Sequence, residues 1–270
     1  MRVLHVGDDG WPVMGEVIGA GDLVVMLHGG GPDHHSMRPP AESLADRYCV
    51  ALPDIRGYGA SRCPDPSLHR WDQYVADVIA IVHALGATSA HLVGAGLGGT
   101  VVLRTCLESP GIARSAVAIS AEAIENDGDK AADTDLMDQF AQRARFSGLA
   151  AACELFFPHL QPLIANPVRD ALPRSNAESA AAAAAIGHDR AFATADELQS
   201  IDTPTLVIAG DDTRHPTNVA RTVAELLPRG ALADVVMSAR LLNAEDMARA
   251  FAPAIGEFLA AGDQTAAERP

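Results

Sequence analysis

Nowhere in the chain do about 18 apolar residues run together, so no segment has the length of a membrane-spanning helix. The opening residues, MRVLHVGDDG, lack the apolar core a secretory leader needs. Basic residues are scarce: 20 Lys and Arg face 35 Asp and Glu, a formal charge of −15, and no basic cluster offsets it. Such a surface repels phosphate backbones and argues against a nucleic-acid partner. A cationic partner is compatible with it, although acidity chiefly serves solubility. The four cysteines, Cys49, Cys63, Cys106 and Cys153, have no metal-ligand spacing. We therefore expect reduced thiols, a cytoplasmic setting, no metal and no cofactor. Internal repeats are also absent.

What is present is a globular composition. Hydrophobic residues make up 48% and charged residues 20% of 270 positions, enough for one large domain or a domain with an insertion. Short apolar runs at 23–27 (LVVML), 48–53 (YCVALP), 91–93, 116–120 (AVAIS), 205–209 (TLVIA) and 233–237 read as buried strands. Helix-period segments alternate with them. In 71–85, Val75, Val78, Ile79, Val82 and Leu85 recur at helical spacing, and Gly86 ends the run. Segments 97–107, 219–227 and 245–260 read likewise, the second entered through Pro216. The pattern predicts an α/β fold: a doubly wound, mostly parallel sheet of about eight strands with helices on both faces.

Between 121 and 200 the rhythm changes. Strand signals stop and alanine-rich helical segments take over, among them the run at 180–185, whose composition reads as helix propensity. Because this stretch separates two core strands, it is expected to be a helical lid over a core made of 1–120 and 201–270.

Four segments then occur in a telling order. His28-Gly29-Gly30-Gly31-Pro32 follows the first strong strand; Asp54-Ile55-Arg56-Gly57-Tyr58-Gly59-Ala60-Ser61 follows the next; LVGAGLGG spans 92–99; TLVIAGDDTRHP spans 205–216. In this the chain resembles the α/β-hydrolase superfamily over nearly its whole length. The resemblance implies an oxyanion loop, a structural turn, a nucleophile elbow and an acid-bearing loop, respectively. The elbow is a sharp strand-to-helix turn that needs small flanking residues, here Gly94, Gly98 and Gly99.

The chain departs from the family pattern twice. Where G-x-S-x-G places a nucleophile, it has Gly96, which can adopt the turn but has no side chain to attack with. After the last strand, where the family's histidine belongs, it reads Ser238-Ala239-Arg240-Leu241-Leu242-Asn243-Ala244-Glu245, and no histidine follows His215. The usual relay is therefore not expected to form.

Other parts of such a site remain available. Asp212 matches the acid position, with Asp211 beside it; as an alternative Asp212 caps the helix near Pro216. By the resemblance, the amides of Gly30 and Leu97 would form the oxyanion hole, Leu97 at a helix start that favours negative charge. His34 and His35, just past the glycine loop, are candidate bases or else polar loop residues. Glu122, and Glu125 near it, could supply a carboxylate or lie in solvent. His28, Asp54 and Arg56 read as structural. Cys106 lies nearly three turns beyond Gly96, about 15 Å along the helix, too far to replace the nucleophile. His5, His69, His83, His91, His159, His188 and His215 are scattered, and the Phe156–Phe157 pair beside His159 reads as packing.

Three functions are compatible with these residues. One is a small-molecule enzyme using acid/base and oxyanion-hole chemistry: cyclisation, elimination, isomerisation or direct hydrolysis. The second is a non-catalytic ligand-binding or regulatory relative. The third is a serine hydrolase in which Gly96 replaces the serine as an inactivating change, which would leave the missing histidine unexplained. A small molecule is the expected partner, and a second copy of the chain is compatible with the sequence.

Overall fold

The computed structural model describes residues 1–7, 9–121 and 127–267. Its centre is an eight-stranded sheet in the order β1-β2-β4-β3-β5-β6-β7-β8. Strands β1 (Arg2–Val6) and β2 (Pro12–Gly19) form an antiparallel pair, and β2 runs antiparallel to β4 (Tyr48–Pro53). From β4 onward the pairings are parallel, through β3 (Asp22–Leu27), β5 (Ala90–Ala95), β6 (Ala113–Ile119), β7 (Thr205–Ala209) and β8 (Gly230–Val236). The expected doubly wound sheet is observed. The six runs read as strands all map onto it, with Ser120 and Met237 lying one residue past the ends of β6 and β8; β1 and β2 are additional.

Strands β3 to β7 are apolar on both faces because both faces are covered. On one side lie α2 (Trp71–Ala84), α3 (Leu97–Glu108) and α8 (Thr217–Leu226), packing Tyr74, Val78, Val101, Val102 and Val223 against Val25, Leu92 and Val207. On the other lie α1 (Arg38–Glu42) and α9 (Ala244–Ala267), where Ala41, Phe251, Ile255 and Leu259 cover Val24, Val50 and Val117. Among the described residues no helix is long and apolar enough to cross a membrane.

Between β6 and β7 the described chain is helical: α4 (Asp127–Ser147), α5 (Leu149–Cys153), α6 (Pro162–Ala171) and α7 (Ala177–Ala183), with short 3-10 turns. The alanine run does more than favour helix. Ala181 and Ala184 are buried against Ala141, Ala144 and Ala152, forming a separate small core in which methyl side chains let helices approach closely.

Candidate functional site

Parallel strands place their carboxyl ends at one edge of the sheet, where loops form a ligand crevice. Here the loops after all six of them reach one cavity of about 150 Å³, that after β4 through Gly57 and Tyr58. Its floor holds Gly29, Gly30 and Gly31 after β3, Gly96 after β5, Ser120 after β6, His215 in the loop after β7 and Met237 after β8. The facing wall comes from the helical insertion and is apolar, with Phe140, Phe156, Phe157, Leu160 and Val168.

Gly96 has φ 51° and ψ −119°, a conformation in which an L-residue is strained and glycine is not. The bend is therefore a true strand-to-helix elbow. Gly96 is also the N-cap of α3 and brings no side chain to close it. The first-turn amides, beginning at Leu97, have no intrahelical acceptor and carry the positive end of the helix dipole. Gly30 lies close by: a Cβ built on it would stand 3.8 Å from Leu97 Cβ and 3.7 Å from the Tyr58 hydroxyl.

The decisive feature of the site is His215, one of the histidines that in the sequence looked scattered. Its Nδ1 is 2.9 Å from Asp212 Oδ1, and both side chains are buried. An ionised carboxylate accepts a hydrogen bond from Nδ1–H, which fixes the tautomer with the ring's basic lone pair on Nε2. Asp212 is itself fixed, accepting from the amides of Arg214 (3.0 Å), His215 (2.8 Å) and Gln161 (3.2 Å). Burial opposes its ionisation, but the His215 hydrogen bond and charge outweigh that and hold its pKa below the ordinary carboxylate value. Asp212 does not cap α8, whose N-cap is Pro216 with no side-chain bond. Gly210 permits the fold-back, since a Cβ there would lie 2.5 Å from His215 Cβ. The signal available in the sequence was the D-x-x-H spacing that begins two residues after the acid-loop glycine, Gly210.

His34 and His35 are not among the described residues lining the cavity. Asp33 caps a 3-10 turn at His34–Met37 and sends both rings elsewhere. His34 is buried with Nδ1 2.7 Å from Asp54 Oδ1, while its Nε2 has no hydrogen-bond partner among the described residues and lies 4.0 Å from Glu16. Burial disfavours its charged form, yet the Asp54 bond and the charges of Asp54, Asp33 and Glu16 prevail and raise its pKa. His35 stacks on His34 and faces Asp33 at 3.1 Å. Glu122 and Glu125 lie outside the described residues.

The structural residues behave as such. His28 donates from Nδ1 to Gly29 O at 2.7 Å and accepts from Ile55 N at 2.9 Å, which ties the glycine loop to the β4 turn. Arg56 is held by Asp77 through two bonds of 2.8 and 2.7 Å and by Asp9 at 2.7 Å. Cys106 is buried in α3, and burial pushes its thiol up to about 12. A Ser–His–Asp chain does exist at the opposite end of the sheet: Ser115 Oγ is 2.8 Å from His91 Nδ1, and His91 Nε2 is 2.9 Å from Asp263. Ser115 and His91 are fully buried and lie far along their strands from the cavity, so this chain fastens α9 to the sheet.

The alpha/beta hydrolase fold family matches residues 22–244. The chain belongs to that family. The hydrolase-fold chain is 30% identical over 106 residues to the magnesium-chelatase 30 kDa subunit of Rhodobacter capsulatus, a match covering 39% of this chain and 37% of that one. It is 41% identical over 96 residues to the pimeloyl-acyl-carrier-protein methyl ester esterase of Chromobacterium violaceum, 35% of each. These matches span little more than a third of either relative. A longer one, 28% over 248 residues, covers 85% of the chain and 88% of the RutD protein of Azorhizobium caulinodans, named as a carbamate hydrolase. Among solved structures, a Thermogutta terrifontis esterase superposes with a TM-score of 0.83 at 22% identity, covering 97% of this chain and 98% of that one. The enol-lactonase of Burkholderia xenovorans does so at 0.76 and 19%, covering 93% and 98%. At such identities the structures establish the fold alone.

Proposed function

We propose that this hydrolase-fold protein is a small-molecule enzyme that acts on an apolar carbonyl compound without forming an acyl-enzyme. The observation that carries this reading is the Asp212–His215 pair at a cavity whose elbow, Gly96, holds no nucleophile. His215 takes a proton from substrate or from a water, and Asp212 orients the ring and stabilises the imidazolium. Negative charge developing on the substrate oxygen is received by the amides of Gly30 and Leu97, where one preorganised donor contributes about 3 kcal/mol. Cyclisation, elimination, isomerisation and direct hydrolysis all fit this sequence of proton transfer and oxyanion stabilisation. Residues 121–200 act as the cap that keeps the cavity apolar, over a core of 1–120 and 201–270.

Relatives named for ester and carbamate chemistry support a carbonyl substrate. The test is turnover of a panel of small apolar esters, lactones and carbamates by the parent and by His215→Gln. Loss of about 100-fold or more in kcat/KM with the fold intact is expected. Equal turnover by the two proteins would remove His215 from the chemistry. Tight binding of a panel member that is never converted would instead favour a non-catalytic ligand-binding protein.

A further inference from the structure

Ser120 is the sole non-glycine residue with positive φ among the described residues, at 48°. For an L-residue that conformation carries strain, and strain of this kind gathers at functional sites. Ser120 is buried and lines the cavity. Its hydroxyl has a poor partner, Met237 Sδ at 3.8 Å, a thioether that accepts hydrogen bonds weakly. Sheet register fixes its place. Ala95 pairs with Ile119, Gly96 N donates to Ile119 O at 2.8 Å, and Ser120 N donates to Ile208 O at 2.8 Å. Ser120 therefore stands between the Gly96 bend on β5 and the end of β7, where Gly210 packs against His215.

We infer that Ser120 is a substrate-contacting residue: its hydroxyl leaves Met237 and donates to an oxygen of the bound molecule, the polar contact that Gly96 has no side chain to make. The ligand class that follows is an apolar molecule with one carbonyl oxygen placed over the sheet edge, its hydrocarbon body against Phe140, Phe156 and Leu160. Several features favour this role over a packing one. A buried hydroxyl left with a sulfur acceptor is underused, whereas alanine would fill nearly the same volume and glycine would relieve the backbone. The contact is non-covalent and moves no proton. It rests on the cavity reading above and is independent of which residue acts as base.

The experiment uses the full chain and two probes of like shape, acetophenone and ethylbenzene, with affinities measured by ligand-observed NMR. The parent should prefer the ketone. Ser120→Ala should cut that preference about three- to tenfold, the worth of one hydrogen bond, while ethylbenzene affinity stays put. Ser120→Gly, whose backbone suits the site better, should lose the same preference, which covers the case of a poorly folded alanine variant. Turnover by His215→Gln tests the base and is read separately from ketone preference in the Ser120 variants, so failure of the base assignment and failure of this contact give different results. An unchanged ketone preference in both Ser120 variants overturns the inference. So does a parent protein that binds neither probe or does not distinguish them.

Discussion

His215 Nδ1 stands 2.9 Å from Asp212 Oδ1, three residues back on the same loop, and His215 lines the cavity that Gly96 floors. In the proposed reading, an acid and an imidazole that the hydrolase fold ordinarily draws from two loops are supplied by one. The pair needs nothing from the β8–α9 connection, which carries no histidine.

Asp212→Asn should keep most of the loop, because Oδ1 can still accept from the amides of Arg214 and His215, while only the Gln161 amide loses its acceptor to the new Nδ2. What it removes is the charge that stabilises the protonated ring. Turnover should fall on the order of 100-fold while the melting temperature moves little. Steady-state kinetics beside thermal denaturation separates the two effects.

Gly96→Ser places an L-residue at φ 51° and ψ −119°. We expect a stability loss of about 1–3 kcal/mol, measured as a lower urea midpoint with unchanged slope. A serine accommodated at no cost would mean that the bend relaxes in solution.

The sheet could be read from the sequence because β3 to β7 are continuous apolar runs with both faces buried. Strands β1 and β2 could not: β1 is largely exposed at the sheet edge, and β2 is only half-buried, so neither has a full apolar signature. At the site, the glycine loop, the elbow and Asp212 are legible as motifs fixed by backbone geometry. The base is not. His34 and His35 are close to the oxyanion loop in sequence, but the 3-10 turn started by Asp33 rotates His34 onto Asp54. His215 looks like a turn residue before Pro216, and only the fold-back against Gly210 brings it to the cavity.

His69 gives the fold a pH dependence of its own. Burial lowers its pKa from 6.5 to about 4, with Nε2 donating to Cys63 O and Nδ1 accepting from the Tyr74 hydroxyl, both at 2.9 Å. Between pH 6.5 and 4 the unfolded chain binds the proton and the folded chain does not. This contribution is therefore complete above pH 6.5 and shrinks as pH falls, by about 3 kcal/mol in total. His34, with a raised pKa, acts in the opposite direction, contributing below the unfolded value and losing that contribution as pH rises. Urea midpoints at pH 7 and 5 should converge between the parent and His69→Gln as pH drops, the parent losing the more.

Asp263→Ala should separate fastening from catalysis. It unties His91 and the Tyr48 hydroxyl, which donates to Asp263 at 2.9 Å, and frees the end of α9. Stability should fall by about 1–3 kcal/mol with turnover per folded molecule unchanged. A selective loss of kcat would show that the Ser115–His91–Asp263 chain takes part in the chemistry.

The most direct measurement is the intact mass of the protein after incubation with an alkyl fluorophosphonate, which labels activated serines. Because the elbow offers no side-chain atom for an ester bond, the mass should stay unchanged. A stoichiometric adduct on any serine, Ser120 and Ser115 included, would contradict catalysis without a covalent intermediate.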